Sequence, residues 1–223
     1  MAKTRKNAGT APDEYYHIFN RGALKRKIFL DLYDYARFLF LLLHLQSPDL
    51  GFENIGRHLG YFMRHRVFNI SADQMDELTT NRYVTLIAFN LRPNHFHLIV
   101  KEEAPAGIPK FLQRLGNSHA KYFNRKNESS GHLFQGKYQS VRIESNDQLL
   151  YTSAYIHKHE ATIDYEWSSY RDYVKENRWP RLLDTSLILD QFSSAAEYHE
   201  WVKASGAKEI VDQIDVPHQM LNN

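Results

Sequence analysis

The 223-residue chain has no cysteine. That removes disulfides, zinc ribbons, iron–sulfur clusters and thiol catalysis at once. Any metal must be held by histidine, carboxylate or amide groups. Long hydrophobic runs are also missing. The most apolar stretch, Phe38 to Leu45, is far short of the roughly 20 residues a membrane span needs. Met1 to Pro12 is polar, with Lys3, Arg5 and Lys6, and lacks the apolar core of a secretory signal. The expectation is a soluble, cytoplasmic protein with no membrane partner. Internal repeats and low-complexity tracts are absent as well, and the formal net charge is only +2.

What is present is enough for a packed core: 43% hydrophobic and 13% aromatic residues. A chain of this length and composition reads as one domain of moderate size with appendages. Its near neutrality hides an asymmetry. Asp190, Glu197, Glu200, Glu209, Asp212 and Asp215 outweigh Lys203 and Lys208 at the C-terminal end. Between residues 110 and 142, Lys110, Arg114, Lys121, Arg125, Lys126, Lys137 and Arg142 face a single acid, Glu128. Such a zone is either a polyanion face or a solvated helix surface; charge alone does not choose.

Tyr15 to Phe19 reads as a strand ended by a turn at Asn20-Arg21-Gly22. Asp31 to Leu45 reads as a helix with acids at its start. Residues 46–81 read as an insertion with a possible helix over Phe52 to Arg64. Tyr83 to Phe89 and His95 to Lys101 make a hairpin, turned at Leu91-Arg92-Pro93-Asn94. Pro109 to Lys126 is a helix, on which Lys110, Arg114, Lys121 and Arg125 form one basic stripe. Tyr138 to Ile143 is a fourth strand, and Asn146 to Glu160 a further helix. This order is a split βαβ pattern: an α+β, ferredoxin-like antiparallel sheet with helices on one face. Beyond it the chain continues as a mostly helical extension around Ser194 to Asp215.

Two histidines, His95 and His97, fall two apart in a predicted strand, so both imidazoles share one face. That is half a metal site, or a chance pair among 12 histidines. The surrounding segment, Arg92-Pro93-Asn94-His95-Phe96-His97-Leu98-Ile99-Val100, resembles the HUH motif of single-tyrosine transposases. Tyr155 and His159 stand at i and i+4 on the late helix, one turn apart on one face. Gly131-His132-Leu133-Phe134-Gln135-Gly136-Lys137-Tyr138, Trp167-Ser168-Ser169-Tyr170 and Asn20-Arg21-Gly22 look like further signatures of the REP-associated tyrosine transposases, which belong with the insertion-sequence-200-like enzymes.

The resemblance covers about residues 15–173. It divides the chain into a basic tail (1–14), a catalytic domain (15–173, with the insertion at about 46–81) and an acidic, mostly helical extension (174–223). It implies a metal-dependent enzyme that cleaves and rejoins single-stranded or hairpin DNA through a 5′-phosphotyrosine. Tyr155 is then the nucleophile and His95, His97 and His159 the ligands of a divalent cation. Tyr151, one turn earlier, is the rival for the nucleophile's place. The family usually has Asn or Gln where His159 stands, so an all-imidazole set favours Mn²⁺ over Mg²⁺, with other transition metals suited too. Arg21, Lys110, Arg114, Lys121, Arg125, Gln135 and Lys137 are the candidate DNA contacts. His157, facing away from Tyr155, reads as surface or structural. Two other readings stand beside this one: a DNA-hairpin-binding relative that does not cut, and a three-His zinc hydrolase without a covalent step. Monomer and homodimer are both open.

Overall fold

The computed structural model describes residues 9–48, 54–158 and 163–206. Four strands make one antiparallel sheet in the order β2-β3-β1-β4: β1 (Tyr15–Arg21), β2 (Val84–Arg92), β3 (His95–Glu102) and β4 (Gln139–Ile143). This is the expected split βαβ arrangement. Two strands outrun their predicted ends. β1 continues through Asn20 and Arg21, which pair with Phe96 and His95. β2 continues to Arg92, leaving Pro93 and Asn94 to make the turn.

The two crossover helices, α1 (Leu32–His44) and α4 (Gly107–Lys126), cover one face, as expected. Asp31 caps α1, its side chain accepting from Asp34 N at 3.1 Å. The run Phe38 to Leu43 is buried throughout, because α1 is enclosed by the sheet, α4 and the insertion. The buried Glu102 carboxylate accepts from Ile108 N at 3.0 Å, setting negative charge at the positive end of α4. Phe96, Leu98 and Val100 of β3 join this core.

The expectation of helices on one face needs a correction beyond α1 and α4. The opposite face is covered by α5 (Asn146–Lys158), with α6 (Tyr170–Val174), α7 (Ser186–Leu189) and α8 (Ala195–Ala204). Ile99 of β3 and Val141 of β4 form a second core with Leu149, Tyr155, Tyr173, Tyr198 and Val202. The sheet has two apolar faces, so both need cover. Tyr198 and Val202 therefore belong to the same packing unit as Tyr155.

The insertion folds as α2 (Ile55–His65) and α3 (Ala72–Thr80). The predicted helix over Phe52 to Arg64 matches α2; α3 was unforeseen. Ser71 and Gln74 form a reciprocal capping box at its start. Leu59, Phe62, Phe68 and Leu78 extend the α1 core, and Phe62 stacks on Trp179 with centroids 6.3 Å apart. Among the described residues, no helix is long and apolar enough to cross a membrane.

Candidate active site

Strand alternation sends His95, His97 and Ile99 to the α5 side of the sheet. The β1 neighbours of His95 and His97 are Arg21 and Phe19; their β2 neighbours are Arg92 and Asn90. The two imidazoles lie with ring centroids 5.2 Å apart, nearly perpendicular. Each is hydrogen-bonded at Nδ1. His95 Nδ1 lies 2.7 Å from Asn94 Oδ1, and His97 Nδ1 lies 2.9 Å from His17 Nε2.

Tyr155 meets this cluster from α5. Its ring stands edge-on to His97, with centroids 5.7 Å apart, and edge-on to His17 at 6.2 Å. Asn90, the cross-strand neighbour of His97, holds the helix in place: its Nδ2 donates to the Ile156 carbonyl at 2.7 Å. One strand position thus fixes both the spacing of the imidazole and the height of the helix that carries the phenol.

Burial sets the protonation states. Desolvation pushes the Tyr155 hydroxyl up to about 12 and the His17 imidazole down to about 3, since a charge on either has too little water around it. His157, two residues after Tyr155, is also fully enclosed. Its Nδ1 lies 2.6 Å from Tyr198 Oη and its Nε2 lies 2.8 Å from Ser169 Oγ. Of the two readings left for it, surface or structural, the second holds.

Two of the three predicted metal ligands, His95 and His97, are brought together beside the predicted nucleophile. The third, His159, lies outside the described residues. Among the described residues no group of three His, Cys, Asp or Glu side chains gathers as a metal site. The two imidazoles fit a cation nonetheless. With Nδ1 of each hydrogen-bonded, Nε2 would be the atom to meet a cation, the usual arrangement in which an outer group fixes the ring.

The candidate DNA contacts divide. Arg21 and Gln135 line a cavity of about 610 Å³ with Lys25, His132 and Phe134, and Gln135 N donates to the Arg21 carbonyl at 2.8 Å. Arg21 itself pairs with His95 across the β1–β3 ladder. Lys137 lines the adjoining groove of about 780 Å³, with Asn20, Gln113 and Asn117. The stripe of Lys110, Arg114, Lys121 and Arg125 belongs to α4, across the sheet from Tyr155. Lys110 lies 5.5 Å from the Tyr83 ring centroid. Arg114 donates to the Ser47 carbonyl at 2.6 Å. These two are engaged in holding the insertion junction, while Lys121 and Arg125 are exposed.

His17, Asn90 and Asn94 went unassigned from the sequence, although all three touch the site. The available signal was parity: His17 and Phe19 alternate with apolar Tyr16 and Ile18, and a polar residue on the inward face of a central strand needs a partner.

The family model described as "Transposase IS200 like" matches residues 62–159. No curated protein matches the chain. Among solved structures, one of a REP-associated tyrosine transposase bound to a REP hairpin is similar, at 12% identity and a TM-score of 0.46, covering 87% of this chain and 96% of that one. The family match spans β2, β3, α4, β4 and α5, and so includes His95, His97 and Tyr155. Over residues 62–159 the chain is similar to the IS200-like transposase family.

Proposed function

We propose that the chain is a metal-dependent transposase that cleaves and rejoins single-stranded DNA through a 5′-phosphotyrosine, at hairpin DNA formed by palindromic repeats. The observation that carries this reading is the meeting of Tyr155 with His97 at a centroid distance of 5.7 Å, on the sheet face that also bears His95. A structural tyrosine needs no pair of imidazoles at its edge; a nucleophile aimed at a phosphate does.

Tyr155 Oη gives up its proton and attacks the scissile phosphorus, the bond to the 3′ oxygen breaks, and that oxygen leaves with the electron pair and takes up a proton. The products are a phosphotyrosine and a free 3′-OH. Attack by another 3′-OH reverses the step and joins strands, so no external energy source is required. A phenol at about 12 is far from ionised at neutral pH, which by itself costs about 7 kcal/mol. His95 and His97, with His159 as third ligand, would hold a divalent cation that would supply Lewis acidity at the phosphate and a positive field beside the phenol; Mn²⁺ suits imidazole ligands better than Mg²⁺. Asn90 sets the position of Tyr155 through the Ile156 carbonyl. Arg21, Gln135 and Lys137 bind the strand that runs past His95.

The test is a denaturing gel of labelled DNA incubated with Mn²⁺ and wild-type protein or Tyr155→Phe. The substrates are a hairpin with single-stranded flanks and an unstructured strand of equal length. A protein–DNA adduct on the hairpin that Tyr155→Phe abolishes supports the proposal. Binding without adduct identifies a non-cleaving hairpin-binding relative. Hydrolysis that survives Tyr155→Phe identifies a hydrolase without a covalent step.

A further inference from the structure

Of the two imidazoles, His95 has an unambiguous outer partner. Asn94 Nδ2 faces the Lys25 carbonyl at 3.4 Å, so Asn94 Oδ1 is turned to His95 Nδ1 and accepts its proton. His97 is different. Its partner is a second imidazole, His17 Nε2, at 2.9 Å, and an imidazole nitrogen is donor or acceptor according to where its proton sits. Only one hydrogen fits between two nitrogens at that distance. If His17 holds it, the neutral His97 carries its own proton on Nε2, and that atom has no lone pair for a metal. If His97 holds it on Nδ1, Nε2 ligates.

We infer that His17 is a positioning residue that acts through His97: by accepting the Nδ1 proton it selects the tautomer in which His97 Nε2 binds the cation. This rests on the proposed role of His95 and His97 as metal ligands and assigns the outer partner that role needs. The geometry is specific. His17 is anchored in the middle of β1 between β3 and β4. Its ring is nearly parallel to that of His97, with centroids 5.2 Å apart and planes at 22°. Phe19 closes the other side, 5.1 Å from His17 and 5.7 Å from His97. His17 is only 2% exposed, so water does not readily replace the missing acceptor when the side chain changes. Outer partners of metal-bound histidines are most often carboxylates or carbonyls. A neutral imidazole does the same work without adding negative charge where DNA phosphate must approach.

Two replacements separate acceptor from filler. His17→Gln offers a carbonyl oxygen at about the reach of Nε2; His17→Phe keeps the ring and the packing and offers no acceptor. Mn²⁺ affinity is measured by calorimetry on the full chain without DNA, alongside thermal unfolding. His17→Phe is expected to weaken Mn²⁺ binding 10- to 100-fold, and His17→Gln to retain affinity within about threefold of wild type. In a His97→Ala background the two His17 variants are expected to bind alike. Long-range ¹H–¹⁵N NMR of the metal-free wild type is expected to find the His97 proton on Nδ1, a readout that holds even if His17→Phe does not fold. The inference is overturned if His17→Phe binds Mn²⁺ as wild type does, if Gln and Phe lose affinity equally, or if the His97 proton is on Nε2. Wild-type protein that binds no Mn²⁺ at all overturns the metal reading of His95 and His97, and this inference with it.

Discussion

Replacing Tyr198 with Phe removes a single hydroxyl from the contact between α8 and α5, the helix that carries Tyr155. The hydrogen bonds there form a buried chain through His157. Ser153 Oγ donates to the Leu150 carbonyl at 2.7 Å. It accepts from Tyr198 Oη at 3.2 Å, and Tyr198 Oη lies 2.6 Å from His157 Nδ1. His157 Nε2 lies 2.8 Å from Ser169 Oγ, a hydroxyl that donates to the Phe89 carbonyl at 3.1 Å. Burial lowers the His157 imidazole to about 3, so the ring stays neutral, with one proton to donate. Without the tyrosine hydroxyl, His157 Nδ1 loses this partner in a site with no water access, which costs about 1–3 kcal/mol. For a chain of this size the melting temperature falls by about 2–4 °C for each kcal/mol. Urea unfolding followed by circular dichroism measures the loss. Tyr198→Phe combined with His157→Phe, which removes both polar partners, should be less destabilising than the two single changes added together. Unfolding free energies of Tyr198→Phe and wild type that agree within about 0.3 kcal/mol would refute the buried bond between Tyr198 and His157.

Other consequences are equally direct. His44 and His119 are lowered by burial to about 3 and about 4, so below the ordinary value of 6.5 the unfolded chain binds protons that the folded one does not. Their contribution is complete above about pH 6.5 and declines as pH falls toward the folded values, by about 2 kcal/mol each at pH 5; a urea midpoint independent of pH from 7 to 5 would contradict this. Gly107→Ala would put a methyl carbon 2.1 Å from the Tyr83 carbonyl oxygen, and is expected to destabilise by about 1–3 kcal/mol, read from the same unfolding curves. Arg114→Ala, which loses the bond to the Ser47 carbonyl, should lower stability more than DNA affinity. Lys137→Ala should leave stability unchanged and reduce the dependence of DNA binding on salt by about one counterion, measured by fluorescence anisotropy over a salt series.

The sheet and its two crossover helices were legible because alternation and helical periodicity are strong in β1, β3, α1 and α4. The joining of Tyr155 to His95 and His97 was expected from the family resemblance alone; strand parity supplied only the shared face of the two imidazoles. α3 escaped although its capping residues Ser71 and Gln74 were in plain sight, because the helix is short and mostly polar, with only Leu78 buried. The second cover of the sheet escaped because Tyr198 and Val202 are single apolar positions in an acidic segment, and only packing reveals that they face α5. His17 escaped for a related reason. A histidine inside a strand declares a partner by its burial, but which residue answers is decided by the pairing of β1 with β3. The basic stripe on α4 was correctly drawn on the helix, but half of it is spent on Tyr83 and Ser47.

The central claim is that Tyr155 becomes bonded to DNA. Digestion of the hairpin reaction with nuclease and then protease, followed by tandem mass spectrometry, tests it at the level of the residue. The account predicts a phosphonucleotide mass on Tyr155 in the peptide that spans α5. The same mass on Tyr151 or another tyrosine, or DNA cleaved with no modified peptide, would contradict it.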